Sequence, residues 1–176
     1  KAVKSDKDIA ELIDDTRRKI AREPENINYK RSLADLLVRA GDFDGAIETL
    51  KAGMAQTGGT DPQVERALSN VRAQQLDHEI AALRAAGRTA EAEQKETEKQ
   101  TFLLHDAADR VKRYPNDLQY KYEYGVFLYQ QGQYNEAIQQ FQLSQRNPQR
   151  RIMSLYHLGL CFERKQQYDI AIEQLE

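Results

Sequence analysis

At 176 residues and 40% hydrophobic content, the chain is long enough for one compact domain or a short repeat array, and sustained disorder is not expected. Twenty-six basic against 28 acidic side chains leave a formal net charge of −2, so no global field would steer the protein to nucleic acid or an anionic membrane. No apolar run approaches the roughly 18 residues that span a bilayer, and a single cysteine, Cys161, rules out an intrachain disulfide and leaves the compartment open with a lean to the cytoplasm.

Four prolines and nine glycines are few, and Ala, Leu, Glu, Gln, Arg and Lys dominate the strings between them, a helical composition throughout. Ser5-x-x-Asp8 reads as a capping box with Asp in place of Glu. Behind it Ile9, Leu12, Ile13, Thr16 and Ile20 recur at threes and fours, one face of a helix over 5–23. Pro24 ends it. A second helix starts near Asn28, turns Leu33, Leu36, Leu37 and Ala40 inward, and stops at Gly41. Asp42 or Asp44 caps a third, carrying Phe43, Ala46, Ile47, Leu50 and Met54, until TGGTDP at 57–62 breaks the chain. Two long helical strings follow, Gln63 to Ala86 and Thr89 to Tyr114, turned at Gly87-Arg88. Pro115-Asn116-Asp117 caps a sixth helix from Leu118 to Gln131, and Gly132 turns it into a seventh from Asn135 to Arg146. An eighth runs through Leu155, Leu158 and Phe162, and a ninth begins near Asp169.

Three strings share one phrase: GDFDGAIETL at 41–50, GQYNEAIQQF at 132–141 and QQYDIAIEQL at 166–175. The last two lie 34 residues apart, and the first precedes the middle one by 91. Antiparallel helix pairs with short links at a 34-residue period mark a helical solenoid. The fuller pattern is Leu33-Ala34-x-x-Leu37, Phe43, Ala46-x-x-x-Leu50. It returns as Tyr124-Gly125-x-x-Leu128, Tyr134, Ala137-x-x-x-Phe141, Pro148, and again as Leu155-x-x-Leu158-Gly159-x-x-Phe162, Tyr168, Ala171-x-x-x-Leu175. In these residues the chain resembles the tetratricopeptide repeat family. It departs from the family by lacking Trp and by holding Lys30 and Lys121 where a bulky residue often stands. Small residues explain the pattern physically. Ala34, Gly125 and Gly159 allow close helix approach, Ala46, Ala137 and Ala171 do the same from the partner helix, and Phe43, Tyr134 and Tyr168 fill the wedge at each turn.

Between Asp61 and Asp117 one more unit needs 34 residues and 57 are present. Gly41 to Gly87 is 46 residues and Gly87 to Gly132 is 45, so the 23 extra residues divide almost evenly about Gly87. This predicts a hairpin whose arms are each longer by about three turns, roughly 17 Å at 1.5 Å per residue. The expected organisation is a single all-α, right-handed superhelical solenoid of about nine helices. It comprises a leading helix (5–23), a regular repeat (27–60), the extended hairpin (61–117), a second regular repeat (118–151) and a partial one (152–176). The chain begins at Lys1 without a methionine or signal-like segment, as an excised or processed segment would. At its other end Leu155, Phe162, Ile172 and Leu175 are expected to be under-covered.

Catalysis has little to stand on: His78, His105 and His157 fall on different helices with no metal-ligand pairing, and no phosphate-binding glycine loop is present. Cys161 sits in a core pattern. No enzyme, cofactor or metal is expected. The basic clusters Arg146, Arg150, Arg151 and Arg110, Lys112, Arg113 lie near helix ends, where the macrodipole already favours them, and without interleaved aromatics they do not predict nucleic-acid binding. On the sixth helix Tyr122, Val126 and Tyr129 share the face opposite Tyr124 and Leu128. Matching stripes are Met153, Tyr156, Leu160 and Arg164 on the eighth helix and Arg31, Asp35 and Val38 on the second. The resemblance implies that this face lines a concave, partner-receiving groove. A chaperone-type carboxylate clamp would place Lys and Asn one turn apart there; Arg31 with Asp35, and Tyr122 with Val126, disfavour it. The expectation is a non-enzymatic scaffold that holds a peptide or protein segment mainly through apolar side chains. The rival expectation is self-association, through the open C-terminal face or through Leu76, Ile80 and Leu83, a seam that either closes on Ala90, Ala92 and lysine stems or docks on another helix.

Overall fold

The structure, a computed structural model, describes residues 6–59 and 61–174; the expected roles of Ser5 and Leu175 lie outside them. Among the described residues all regular structure is helical, in nine elements: α1 (Asp6–Arg22), α2 (Ile27–Arg39), α3 (Phe43–Gln56), α4 (Pro62–Ala85), α5 (Thr89–Arg113), α6 (Leu118–Gln130), α7 (Tyr134–Ser144), α8 (Arg151–Arg164) and α9 (Tyr168–Glu173).

Short polar side chains set the starts. Asn26 accepts from the Asn28 amide at 3.1 Å, Asp42 from that of Gly45 at 2.9 Å, and Asp117 from those of Gln119 and Tyr120 at 2.8 and 3.1 Å. Asp61 does the same for α4, reaching the amides of Gln63 and Val64 at 2.8 and 3.2 Å beside Pro62 at the first helical turn. Each such cap contributes about 1 kcal/mol. The stops share one geometry. Gly41 donates to the Val38 carbonyl at 3.0 Å and Asp42 to that of Leu37 at 2.9 Å, and the same pair of bonds recurs at Gly87-Arg88, Gly132-Gln133 and Gln166-Gln167. Three of these turns place glycine in the left-handed region (φ 73–81°), whereas the fourth places Gln166 there at φ 59°. A residue with a Cβ costs about 1–2 kcal/mol in that conformation.

The chain divides into two compact units, Lys1–Glu96 and Thr97–Glu176, and the division falls inside α5. In the first, α1 to α4 enclose Ile13, Leu33, Ala34, Leu37, Ala46, Leu50, Val64 and Val71. Lys30 is buried there: its stem lies beside Gly53 and its ammonium donates to Gln56, which in turn donates to the Pro24 carbonyl at 3.1 Å. That chain of bonds is why a lysine can stand where a bulky residue was expected.

Helices α4 and α5 have 24 and 25 residues against 13 in α2 and 14 in α3, and they are joined by a tight turn at Gly87-Arg88. The two are clipped together by Lys95–Glu79 at 2.9 Å and Arg84–Glu96 at 3.3 Å. Leu76, Ile80 and Ala92 are buried and Leu83 is half-buried. The seam is therefore taken up within the chain, and these leucines and isoleucine form no exposed stripe for a second copy.

The second unit packs Leu128, Ala137, Ile138, Phe141, Leu158 and Cys161. Gly125 is required here, because a Cβ on it would stand 2.8 Å from a ring carbon of the fully buried Phe141. Between α7 and α8 the hydroxyls of buried Ser144 and Ser154 satisfy each other at 2.8 Å. Arg110 is buried too, paired with Asp106 at 2.9 Å and Glu123 at 3.4 Å, its guanidinium 5.4 Å from the Tyr120 ring centre. The last pair departs from expectation in two ways. Leu155 and Phe162 are half-buried against this core, while Ile172 is 56% exposed. Tyr168 does not fill a wedge but is 58% exposed: Tyr134 has the Tyr129 ring at 5.6 Å, and the residue in Tyr129's place one repeat later is Glu163.

Candidate functional site

Helices α6 and α8 are the first members of successive pairs, and their predicted stripes meet in the second unit. Tyr122, Val126 and Tyr129 are half-buried and pack on the core beside Tyr124, so the face they share is partly structural. From α8, Tyr156 and Met153 are 47% and 43% exposed, Leu160 is half-buried and Arg164 exposed. The centre of the cluster is His157, which the stripes left out. Its ring lies 5.0 Å from that of Phe141, 5.6 Å from those of Tyr122 and Tyr156, and 6.1 Å from that of Tyr129. Its Nδ1 is 2.7 Å from the Met153 carbonyl, which can only accept, so Nδ1 carries the hydrogen. The available signal was its place beside Tyr156 and one turn after Met153.

Two guanidiniums flank the rings. Arg150 lies 5.3 Å from the centre of the Tyr122 ring and donates to Gln119, whose amide donates to Glu123 at 2.7 Å. Arg164 lies near Tyr129, whose hydroxyl raises the arginine's pKa above its ordinary value. Burial raises the Tyr122 phenol, and the nearby Arg150 charge pulls partly back. The result is an apolar centre of ring faces and a thioether between two cationic edges. It can accept an apolar or aromatic side chain and bond the polar backbone beside it.

Arg31 and Asp35 fall instead in the first unit, where a cleft of about 670 Å³ opens between α2 and α4. Arg31 donates across it to Gln63 at 2.6 Å, and Asp35 is exposed. The aromatic and apolar character expected for the C-terminal stripes is not shared by this cleft, whose walls are mostly polar. The basic clusters are largely committed elsewhere: Arg110 is buried in its ion pairs, Lys112 faces Asp109 at 3.3 Å, and Arg150 serves Gln119 and Tyr122. Cys161 is fully buried, and burial pushes its thiol up to about 11. No cluster of metal-ligating side chains occurs among the described residues, and no helix among them is long and apolar enough to cross a membrane.

A family profile described as tetratricopeptide repeat matches residues 104–151, from the end of α5 through α7. The crystal structure of MamA superposes with a TM-score of 0.61 at 15% identity, covering 96% of this chain and 85% of that one. A structure of MamA from residue 41 onward, from Desulfovibrio magneticus RS-1, gives 0.56 at 16% identity over 95% and 81%. At these identities the likeness is one of fold. No curated protein matches the sequence.

Proposed function

We propose that the chain is a non-enzymatic scaffold of the tetratricopeptide-repeat kind, a fold that generally serves protein–protein interaction, and that its α6–α8 face holds a segment of a partner protein. The carrying observation is the exposure of Tyr156 and Met153 beside the His157 ring cluster. Large apolar side chains held rigidly at a surface, with cationic edges, are what an interface centre is made of. The partner would place an apolar or aromatic side chain against Tyr156 and Met153 and bond Arg164 through a carbonyl or carboxylate.

Peptides selected against the wild-type protein from a displayed library supply the test. Their affinity should fall at least tenfold in Tyr156→Ala, with circular dichroism and melting unchanged, since an interface anchor contributes about 2 kcal/mol or more. Undiminished binding by Tyr156→Ala and Met153→Ala would rule this face out.

Self-association is the second reading, favoured by Ile152, Tyr168 and Ile172 at 79%, 58% and 56% exposed. Sedimentation of the wild type and of Ile152→Glu/Ile172→Glu separates the two readings, because a monomer in both cases removes this one.

A further inference from the structure

The chain carries its sulfur in one cysteine and two methionines, Cys161, Met54 and Met153, and the three stand in different surroundings. Met54 is half-buried and packs against the core of the first unit. Cys161 is fully buried, and with its thiol pushed up to about 11 it keeps its proton at neutral pH, which removes the thiolate that oxidants attack. Of the three, Met153 is the open one: it is 43% exposed on α8, one turn before Tyr156 on the α6–α8 face. Its backbone is held firmly, since its carbonyl accepts from His157 Nδ1 at 2.7 Å and the His157 ring is stacked on that of Phe141. A thioether needs no deprotonation to react, so access from solvent decides which sulfur is oxidised. That access falls at the centre of the candidate site.

We propose that Met153 is a site of reversible oxidation by hydrogen peroxide, and that its sulfoxide releases a partner segment held on the α6–α8 face. A lone pair on Sδ forms the new S–O bond as the O–O bond breaks, so the sulfur loses two electrons and the peroxide gains them. The departing hydroxide takes the proton of the transferred OH group and leaves as water. A methionine sulfoxide reductase reverses the step: two thiols become a disulfide, and the oxygen leaves as water. The sulfoxide oxygen is a polar acceptor in the place where the partner's apolar side chain would sit, and covering it there without a donor weakens binding. The inference rests on the scaffold reading for its consequence, whereas the chemistry at Met153 is measured with no partner present.

The experiment treats the protein with dilute hydrogen peroxide, maps oxidation by peptide mass spectrometry, and measures the affinity of the library-selected peptides before and after. Met153 should oxidise at least about fivefold faster than Met54, and Cys161 should stay reduced while the fold is intact. In Met54→Leu, a swap of similar volume, treatment should weaken peptide binding about tenfold with melting unchanged. The two sulfoxide reductases, one for each epimer, should restore it with dithiothreitol. Met153→Leu, whatever its starting affinity, should bind equally before and after treatment. Oxidation of Met54 as fast as Met153 would overturn the assignment of the site. Unchanged binding by the Met153 sulfoxide, while Tyr156→Ala still weakens it, would overturn the release and leave the α6–α8 reading standing; absence of any Tyr156-dependent binding would remove both. Should Met54→Leu fail to melt cooperatively, wild type treated only until Met153 is oxidised carries the same test.

Discussion

Positions 91 residues apart do opposite things in the two units. Arg31 corresponds to Tyr122, Asp35 to Val126 and Asn28 to Gln119, one repeat phrase written twice on the same face of a first helix. In the second unit Tyr122 is half inside the core, its ring 5.9 Å from that of Phe141. In the first unit Arg31 bonds sideways to Gln63 at 2.6 Å and the core closes beneath it through Leu33, Ala34 and Leu37. The lesson is that a solenoid face can be either an extension of the core or a coating over it. Changes to the first kind alter stability and binding together, while changes to the second alter binding alone.

That contrast can be broken most forcefully at Phe141. Phe141→Ala should lose about 3–5 kcal/mol in urea denaturation, and because the ring supports both Tyr122 and His157, the affinity of the α6–α8 face should fall with it. Next comes Tyr122→Ala, expected to cost about 1–3 kcal/mol as a half-buried core contact; a neutral result would mean that the aromatic face is a coating after all. Gly125→Ala, which pushes a methyl into the Phe141 ring, should cost a similar 1–3 kcal/mol or so by overpacking. The turns give a smaller effect of opposite sign. Gly41 serves α2 with a left-handed φ and Gln166 serves α8, so Gln166→Gly should raise stability by about 1 kcal/mol in the same denaturation series. Arg31→Ala, at a half-buried position outside the core cluster and bonded only to Gln63, should stay within about 0.5 kcal/mol, as surface substitutions do. A larger loss there would show that the first-unit face is structural as well.

Much of the architecture was legible before any coordinates. The period-34 phrase, the Gly-marked stops and the Asp caps all rest on contacts within a few residues, so a local reading reaches them. The surplus about Gly87 was legible for the same reason: helix length follows residue count, and Gly87 carries the turn at φ 73°. The candidate site was only half legible. Met153 and Tyr156 were found through their spacing, but His157 stands outside the stripe and joins the site only because Tyr122, Phe141 and Tyr129 surround it from α6 and α7.

Sequence by itself determined the repeat period, the order of the helices among the described residues and the greater length of α4 and α5, because backbone capping and hydrophobic period are short-range properties. Only the tertiary structure decided which of the matched stripes remain outside. Leu76 and Ile80 turned inward, Tyr168 outward, and Tyr122 halfway, according to what the neighbouring helix presents to each. Burial is a property of pairs of segments tens of residues apart. One strand of periodic text shows which side chains share a face, but not how deeply that face is covered.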